Sequence, residues 1–331
     1  MPDPRRNRLK ATLGVVASLA IAGLAVYVLF RTFQRISFAD VLAHMRAVPA
    51  HVLMTAAFCA AGSFLALALY EIAVVRYVKR PLGRLKPMAT ALIAFPLGHA
   101  IGQAMLSAGA LRYRMYTPAG FTAMEVGATV LLCNLPYALA FGLLLDVSLV
   151  FGAERLASVF RVGAPWLFAL GCIGLAKDLG YLLLVKLRKA PVKLGGWAVN
   201  LPTPAMTALQ YAVGLTDVTL VSSIMYLLLP ESADIGYLPF LAVYLASVLT
   251  GVLSHVPAGF GVLESMLLLL LPQVPPAELL AAVLLYRVIY EFIPLLAALV
   301  MWGLYEFAAH DGFGMRLFRT GRRRPPDAGG P

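Results

Sequence analysis

Charge is scarce in this chain. Only 13% of its 331 residues are Asp, Glu, Lys or Arg, 61% are hydrophobic, and the mean hydropathy is +0.83. A soluble domain carries about a quarter of its residues as charges, so an ordinary water-soluble protein is excluded. Cysteine is scarcer still. Cys59, Cys133 and Cys172 are the only three, all inside apolar runs, with no CxxC pair and no His/Cys spacing of a metal site. They read as small core residues, and neither a metal nor a cofactor is expected. Catalytic signatures are missing too: the chain has no GxxxxGK[ST], no HExxH, no GxSxG and no paired carboxylates at a membrane surface. Nucleotide-driven work and the common hydrolase chemistries therefore have no sequence support, and the chain is not expected to be an enzyme.

What is present is a series of long apolar runs, near residues 11–30, 50–75, 87–108, 122–150, 164–187, 205–229, 238–271 and 279–306. Several reach the roughly 20 residues that cross a hydrocarbon core, and none alternates as a barrel strand would. An all-α integral membrane protein follows. The first run comes after the basic "RRNRLK", and Ala20 and Ala22 offer a small-x-small cleavage pattern, but the run continues past them. A retained anchor is the expectation. The domain reading is a basic N-terminus (1–10), one transmembrane domain (11–307) and a basic, disordered tail (308–331). In the segment "SFADVLAHMRAVP", Ser37 is placed to cap a short interfacial helix with Phe38, Val41, Leu42 and Met45 on one side.

The formal charge of +11 would point to nucleic acid in a soluble protein. Here Lys and Arg gather at the ends of apolar runs, where they orient the protein and meet anionic lipid, so nucleic acid is not an expected partner. Eight simple crossings from a cytoplasmic N-terminus put the basic "KLRKAPVK" outside and the acidic "PESAD" inside. Both violations of the positive-inside rule vanish if runs 87–108 and 238–271 are re-entrant hairpins. The architecture expected is a polytopic bundle of about six full spans plus two hairpins in an inverted repeat, with both termini cytoplasmic. Eight full spans is the alternative. The first hairpin would break at "FPLGHAIG", with Pro96, Gly98 and Gly102, and the second at "SHVPAGFGVLE", with Pro257, Gly259 and Gly261. Each break should leave pieces too short to span.

Irregular backbone inside a bilayer must be satisfied by protein or by a watery cavity. The second break is therefore either a cavity-lining element or a protein-buried elbow. Its outgoing helix would present free N–H groups to an anion, or to Glu264 as its own cap, with His255 alongside. Charges at membrane depth cost roughly 2.5–3.5 kcal/mol on insertion scales, so those present should face an interior. Glu71 lies near a cytoplasmic end where snorkelling would suffice. Arg287 and Glu291, four apart, are placed to neutralise each other, and Lys177 and Asp178 to do so through other helices. Asp217 has no basic residue in its own span, so its partner must come from another helix or from water. In "GALRYRMYTPAG", Arg112 and Arg114 with Tyr113 and Tyr116 have a phosphate-binding composition, or form an ordinary positive-inside anchor.

The stretches "SAGALRYRMYTPAG", "SHVPAGFGVLE" and "LLYRVIYEFIP" resemble the transmembrane region of the lysylphosphatidylglycerol synthetase family, the flippase-like part of the multiple peptide resistance factor. The resemblance runs from about Leu9 to Phe307. Gly109, Arg112 and Arg114 match in the first motif, Gly259, Gly261 and Glu264 in the second, and Tyr286, Arg287, Tyr290 and Pro294 in the third. Ala258 stands where the family's pattern has a glycine, which should stiffen the break. Full-length synthetases continue into a soluble aminoacyl-transferase domain, which the tail ending "RLFRTGRRRPPDAGGP" is too short to hold. The resemblance thus implies the translocating half: a lipid flippase or transport component of the cytoplasmic membrane, moving a phospholipid or related lipid such as aminoacylated phosphatidylglycerol. On this reading Arg112, Arg114, Arg287, Tyr286 and Tyr290 bind the headgroup, His255, Glu264 and Asp217 line a cavity and are the coupling candidates, and the energy comes from an ion gradient or from downhill lipid flow. The rivals are a non-catalytic partner of a lipid-modifying enzyme, docking through the basic tail, and a membrane-embedded headgroup transferase. Lipid identity, direction and oligomeric state are not legible.

Overall fold

In the computed structural model the described residues are 38–78, 82–101, 104–187, 192–194, 197–199 and 202–310. The basic N-terminus, the 11–30 run, Ser37 and residues 311–331 lie outside them, whereas 308–310, assigned to the disordered tail, are helical. The described chain is helical apart from one antiparallel ribbon, β1 (Val192–Leu194) with β2 (Trp197–Val199). The helices are α1 (Phe38–Ala47), α2 (Ala50–Tyr77), α3 (Leu85–Ile101), α4 (Ala104–Tyr116), α5 (Ala123–Phe160), α6 (Ala164–Leu187), α7 (Pro204–Leu228), α8 (Tyr237–Ser254), α9 (Val262–Leu270), α10 (Pro276–Arg287) and α11 (Ile293–His310). Among the described residues, six stretches are long and apolar enough to cross a membrane: α2, α5, α6, α7, α8, and the continuous Pro276–Ala308. This is a polytopic membrane bundle.

Local chemistry sets the helix ends. Thr122 and Glu125 form a reciprocal cap at the start of α5, Thr122 N–H donating to Glu125 Oε2 at 2.8 Å and Glu125 N–H to Thr122 Oγ1 at 3.3 Å. Thr203 caps α7 through Met206 N–H, with Pro204 in the first turn, where its missing N–H costs nothing. Between α10 and α11 the chain makes a π-turn over Val288–Phe292. Pro294 explains it: without an N–H it cannot serve the carbonyl of Tyr290, and the wider register accommodates that loss.

The helices sort into two compact units. The first (Met1–Ser63 and Leu135–Tyr290) packs its core around Met225, Phe240, Leu241, Leu245, Leu267 and Val283. Within it α1 lays Val41 against Leu280 and Ala281 of α10, so the short amphipathic helix uses its predicted face; Phe38, grouped with that face, is instead exposed. At Gly214 an added Cβ would clash with the backbone carbonyl of Pro136, so only glycine lets α7 approach α5 there. The second unit (Phe64–Asn134 and Glu291–Pro331) packs α3 against α4 and α11, with Ile93, Leu97, Met115 and Ala298 between them.

Each unit contains a helix pair where the sequence placed a hairpin, α3 with α4 and α8 with α9. Two details differ from expectation. Pro96 and Gly98 lie inside α3, which runs on to Ile101, because a proline in a helix forfeits one hydrogen bond and neighbouring packing holds the rest; Gly102 falls outside the described residues. The chain reverses after Ile101, as Ser107 Oγ donating to the Gly98 carbonyl at 3.0 Å shows. Second, α8 has 18 residues and is long enough to cross, while α9 has nine and is not. Cys172, read as a core residue, is exposed on α6, and Cys133 is buried.

Candidate functional site

In the second unit α4 buries Arg112 completely. Its Nε and Nη2 donate to the two oxygens of Glu71 on α2, at 2.8 and 2.7 Å. Tyr116 O–H donates to the same carboxylate at 2.9 Å, Cys133 Sγ lies 3.4 Å from it, and the guanidinium sits 4.8 Å from the Phe95 ring centre. Glu71 does not snorkel: it too is fully buried, because a charge inside apolar packing is held best by a guanidinium fork that satisfies both its oxygens. One donor is left over. Arg112 Nη1 is buried and makes no hydrogen bond. Arg114, two residues on, is exposed and makes a second fork to Glu306, at 3.1 and 2.9 Å.

In the first unit the break between α8 and α9 has a matching chemistry. Arg287, at the end of α10 and 1% exposed, donates through Nε to Glu264 Oε1 at 2.5 Å. Its Nη1 and Nη2 reach the carbonyls of Ala258 and Gly259 at 3.3 and 3.4 Å, and its guanidinium lies 4.2 Å from the Phe260 ring centre. Glu264 Oε2 accepts the Gly261 N–H at 2.9 Å, so the helix N-terminus offered to an anion is held by the chain's own carboxylate. Turn bonds from Gly259 N–H to Val256 O and from Phe260 N–H to Pro257 O complete the break. Of the two readings left open by the sequence, these bonds are those of a protein-satisfied elbow. Arg287 thus has a carboxylate partner on another helix, which spacing along its own helix could not show.

The elbow also explains its glycines. Gly259 and Gly261 have φ of +61° and +80°, and His255 and Ala258 enter the same left-handed region at +56° and +50°. A side chain there costs about 1–2 kcal/mol. Ala258→Gly should therefore raise the stability of the full chain by about 0.5–1 kcal/mol, after the greater freedom of the unfolded glycine is subtracted. Thermal unfolding in detergent measures it, and a lower midpoint in the glycine variant would contradict the strain. His255 itself is exposed, with Nδ1 2.9 Å from the Leu253 carbonyl. Tyr286 is buried, shares a 2.8 Å hydrogen bond with Tyr244 and stacks on Tyr290 at 5.8 Å.

Asp217 is buried on α7, and its Oδ1 accepts from Ser63 Oγ on α2 at 2.5 Å. The group that faces it from another helix is thus a hydroxyl. On α6, Lys177 Nζ lies 3.4 Å from Asp146 and 3.5 Å from Asp178, and Tyr211 O–H donates to Asp178 Oδ1 at 3.3 Å. Asp146 was missed by the sequence reading, as were Ser63, Phe95 and Phe260. An aspartate in "LLLDVSLV" did signal a buried charge, but phenylalanines and serines in apolar runs carry no such signal. Within the units the structure joins Arg112 to Glu71, Arg287 to Glu264 and Tyr286 to Tyr290.

No family model matches the chain. Its similarity to the phosphatidylglycerol lysyltransferase of Staphylococcus haemolyticus is 21% identity over 318 residues, 93% of this chain but only 36% of that enzyme. The inner membrane protein YbhN of Escherichia coli is 28% identical over 293 residues, 86% of this chain and 90% of YbhN. The uncharacterized protein slr0712 of Synechocystis is 30% identical over 251 residues, which are 75% of this chain and 77% of slr0712. A match of that depth over most of both lengths shows common descent, and the chain belongs to the family of slr0712.

Proposed function

We propose that this protein is a lipid-transport component of the inner membrane, moving a phospholipid or related headgroup between leaflets and catalysing no covalent chemistry. The observation that carries the reading is the alignment of nine-tenths of the chain with about a third of enzymes named for phosphatidylglycerol. Similarity to YbhN supports the inner membrane as its location.

The geometry refines the roles. Arg112 brings an unused buried N–H, and Arg114, 57% exposed, can exchange Glu306 for a phosphate because forks of this kind bind either. These two arginines are the headgroup contacts. Arg287, whose guanidinium is engaged by Glu264 and the elbow carbonyls, positions the elbow, with Tyr286 and Tyr290 stacked beside it. Asp217 is the coupling carboxylate, since a hydroxyl partner leaves it free to change charge more readily than a guanidinium would.

Proteoliposomes holding this chain alone, with labelled phosphatidylglycerol or its aminoacylated form in one leaflet, test the reading. Transbilayer movement should accelerate at least tenfold over protein-free vesicles, and Arg114→Gln should slow it. Absence of acceleration for every lipid offered would leave a partner of a lipid-modifying enzyme as the better reading, and a new covalent lipid product would make the chain an enzyme.

A further inference from the structure

Six buried side-chain atoms make no hydrogen bond within 3.5 Å among the described residues, and five of them fall on α6 and α7: Asp178 Oδ2, both Oε1 and Nε2 of Gln210, and the Tyr181 and Thr207 hydroxyls, which face each other. The concentration is not a scatter of defects. Asp178 and Tyr181 stand three apart on α6, Thr207 and Gln210 three apart on α7, so each pair shares a helix face. Tyr211 O–H bonding Asp178 Oδ1 at 3.3 Å ties the two faces together. Gln210 is wholly buried and Thr207 is 1% exposed, so neither reaches outside solvent.

Charge makes the same point. Asp146 and Asp178 are both buried and share one cation, Lys177, at 3.4 and 3.5 Å. Tyr211 and Tyr181 are the other titratable groups facing Asp178 from α7 and α6. With both carboxylates ionised, one negative charge is uncompensated in an apolar bundle, where a lone buried charge is costly unless paired or bound to a metal ion. The Lys177 side chain is itself 59% exposed, about 15 Å from the end of α6.

We propose that α6 and α7 form a binding site for a small monovalent alkali cation, with Asp178 Oδ2, Thr207 Oγ1 and Gln210 Oε1 as ligands and Asp146 supplying second-sphere charge. Hard carboxylate, hydroxyl and amide oxygens suit such an ion, and a net charge of one suits a monovalent rather than a divalent one. The site shares no residue with either arginine cluster or with Asp217, and its existence does not depend on the transport reading.

Thermal unfolding of the full chain in detergent tests it, with NaCl, LiCl or KCl replacing N-methylglucamine chloride at constant ionic strength and pH. Sodium or lithium at a hundredfold excess over its dissociation constant should raise the midpoint by roughly 4 °C, with a saturable dependence. Asp178→Asn and the Thr207→Val/Gln210→Leu pair should lose the shift, whereas Ser222→Ala, elsewhere on α7, should keep it. Should those variants fail to fold, saturable binding of radioactive sodium to the unaltered protein decides. An equal response to every salt, a response to pH without any to alkali ions, or unsaturable sodium binding would each overturn the proposal.

Discussion

Arg112→Met alone should destabilise the protein by about 3–5 kcal/mol, because it strands the Glu71 carboxylate in a fully buried position with only Tyr116 and Cys133 beside it. Glu71→Leu alone should cost a similar amount by stranding the guanidinium. The double variant should recover most of the loss, since two apolar side chains of similar volume need no desolvation. Thermal unfolding of the four proteins in one detergent gives the coupling energy directly. Equal losses in single and double variants would show that the pair is not coupled. The cycle also bears on transport: a double variant that folds but moves no lipid would assign Arg112 a role beyond holding α4 to α2.

The second large effect is expected at the elbow. Glu264 does two things at once, pairing with Arg287 through Oε1 and accepting Gly261 N–H through Oε2. Glu264→Gln keeps an acceptor for the N–H and removes the charge, so it isolates the ion pair; Glu264→Ala removes both. We expect about 3 kcal/mol of destabilisation for the glutamine variant and about 1 kcal/mol more for alanine, the usual worth of a helix N-terminal cap. Amide exchange over residues 256–261 should quicken in both, because Arg287 loses the anchor that holds it against the Ala258 and Gly259 carbonyls. If exchange there is unchanged while stability falls, Arg287 is not what fixes the elbow.

These clusters show where the sequence was informative. A histidine, a proline and two glycines between apolar runs announced the α8–α9 break, since each has a backbone preference that helices do not meet. Pro96 misled because the same residue inside a well-packed apolar helix is tolerated, and its neighbours decide. Ala258 was seen as a departure from a glycine pattern, and its φ falls in the left-handed region that favours glycine. Glu71 was read from its position near a run's end, yet depth along a helix says nothing about which face of the helix is packed.

Composition and run length alone determined that this chain is a multi-span helical membrane protein, because a bilayer leaves hydrophobicity and helix length few other solutions. The same letters marked which charges would need an interior partner. Only the tertiary structure decided who those partners are: Glu71 for Arg112 across 41 positions, Glu264 for Arg287 across 23, and Ser63 for Asp217 across 154. Pairing of buried charge is a through-space interaction between side chains on different helices, and helix packing, which no periodicity within one run encodes, sets those distances.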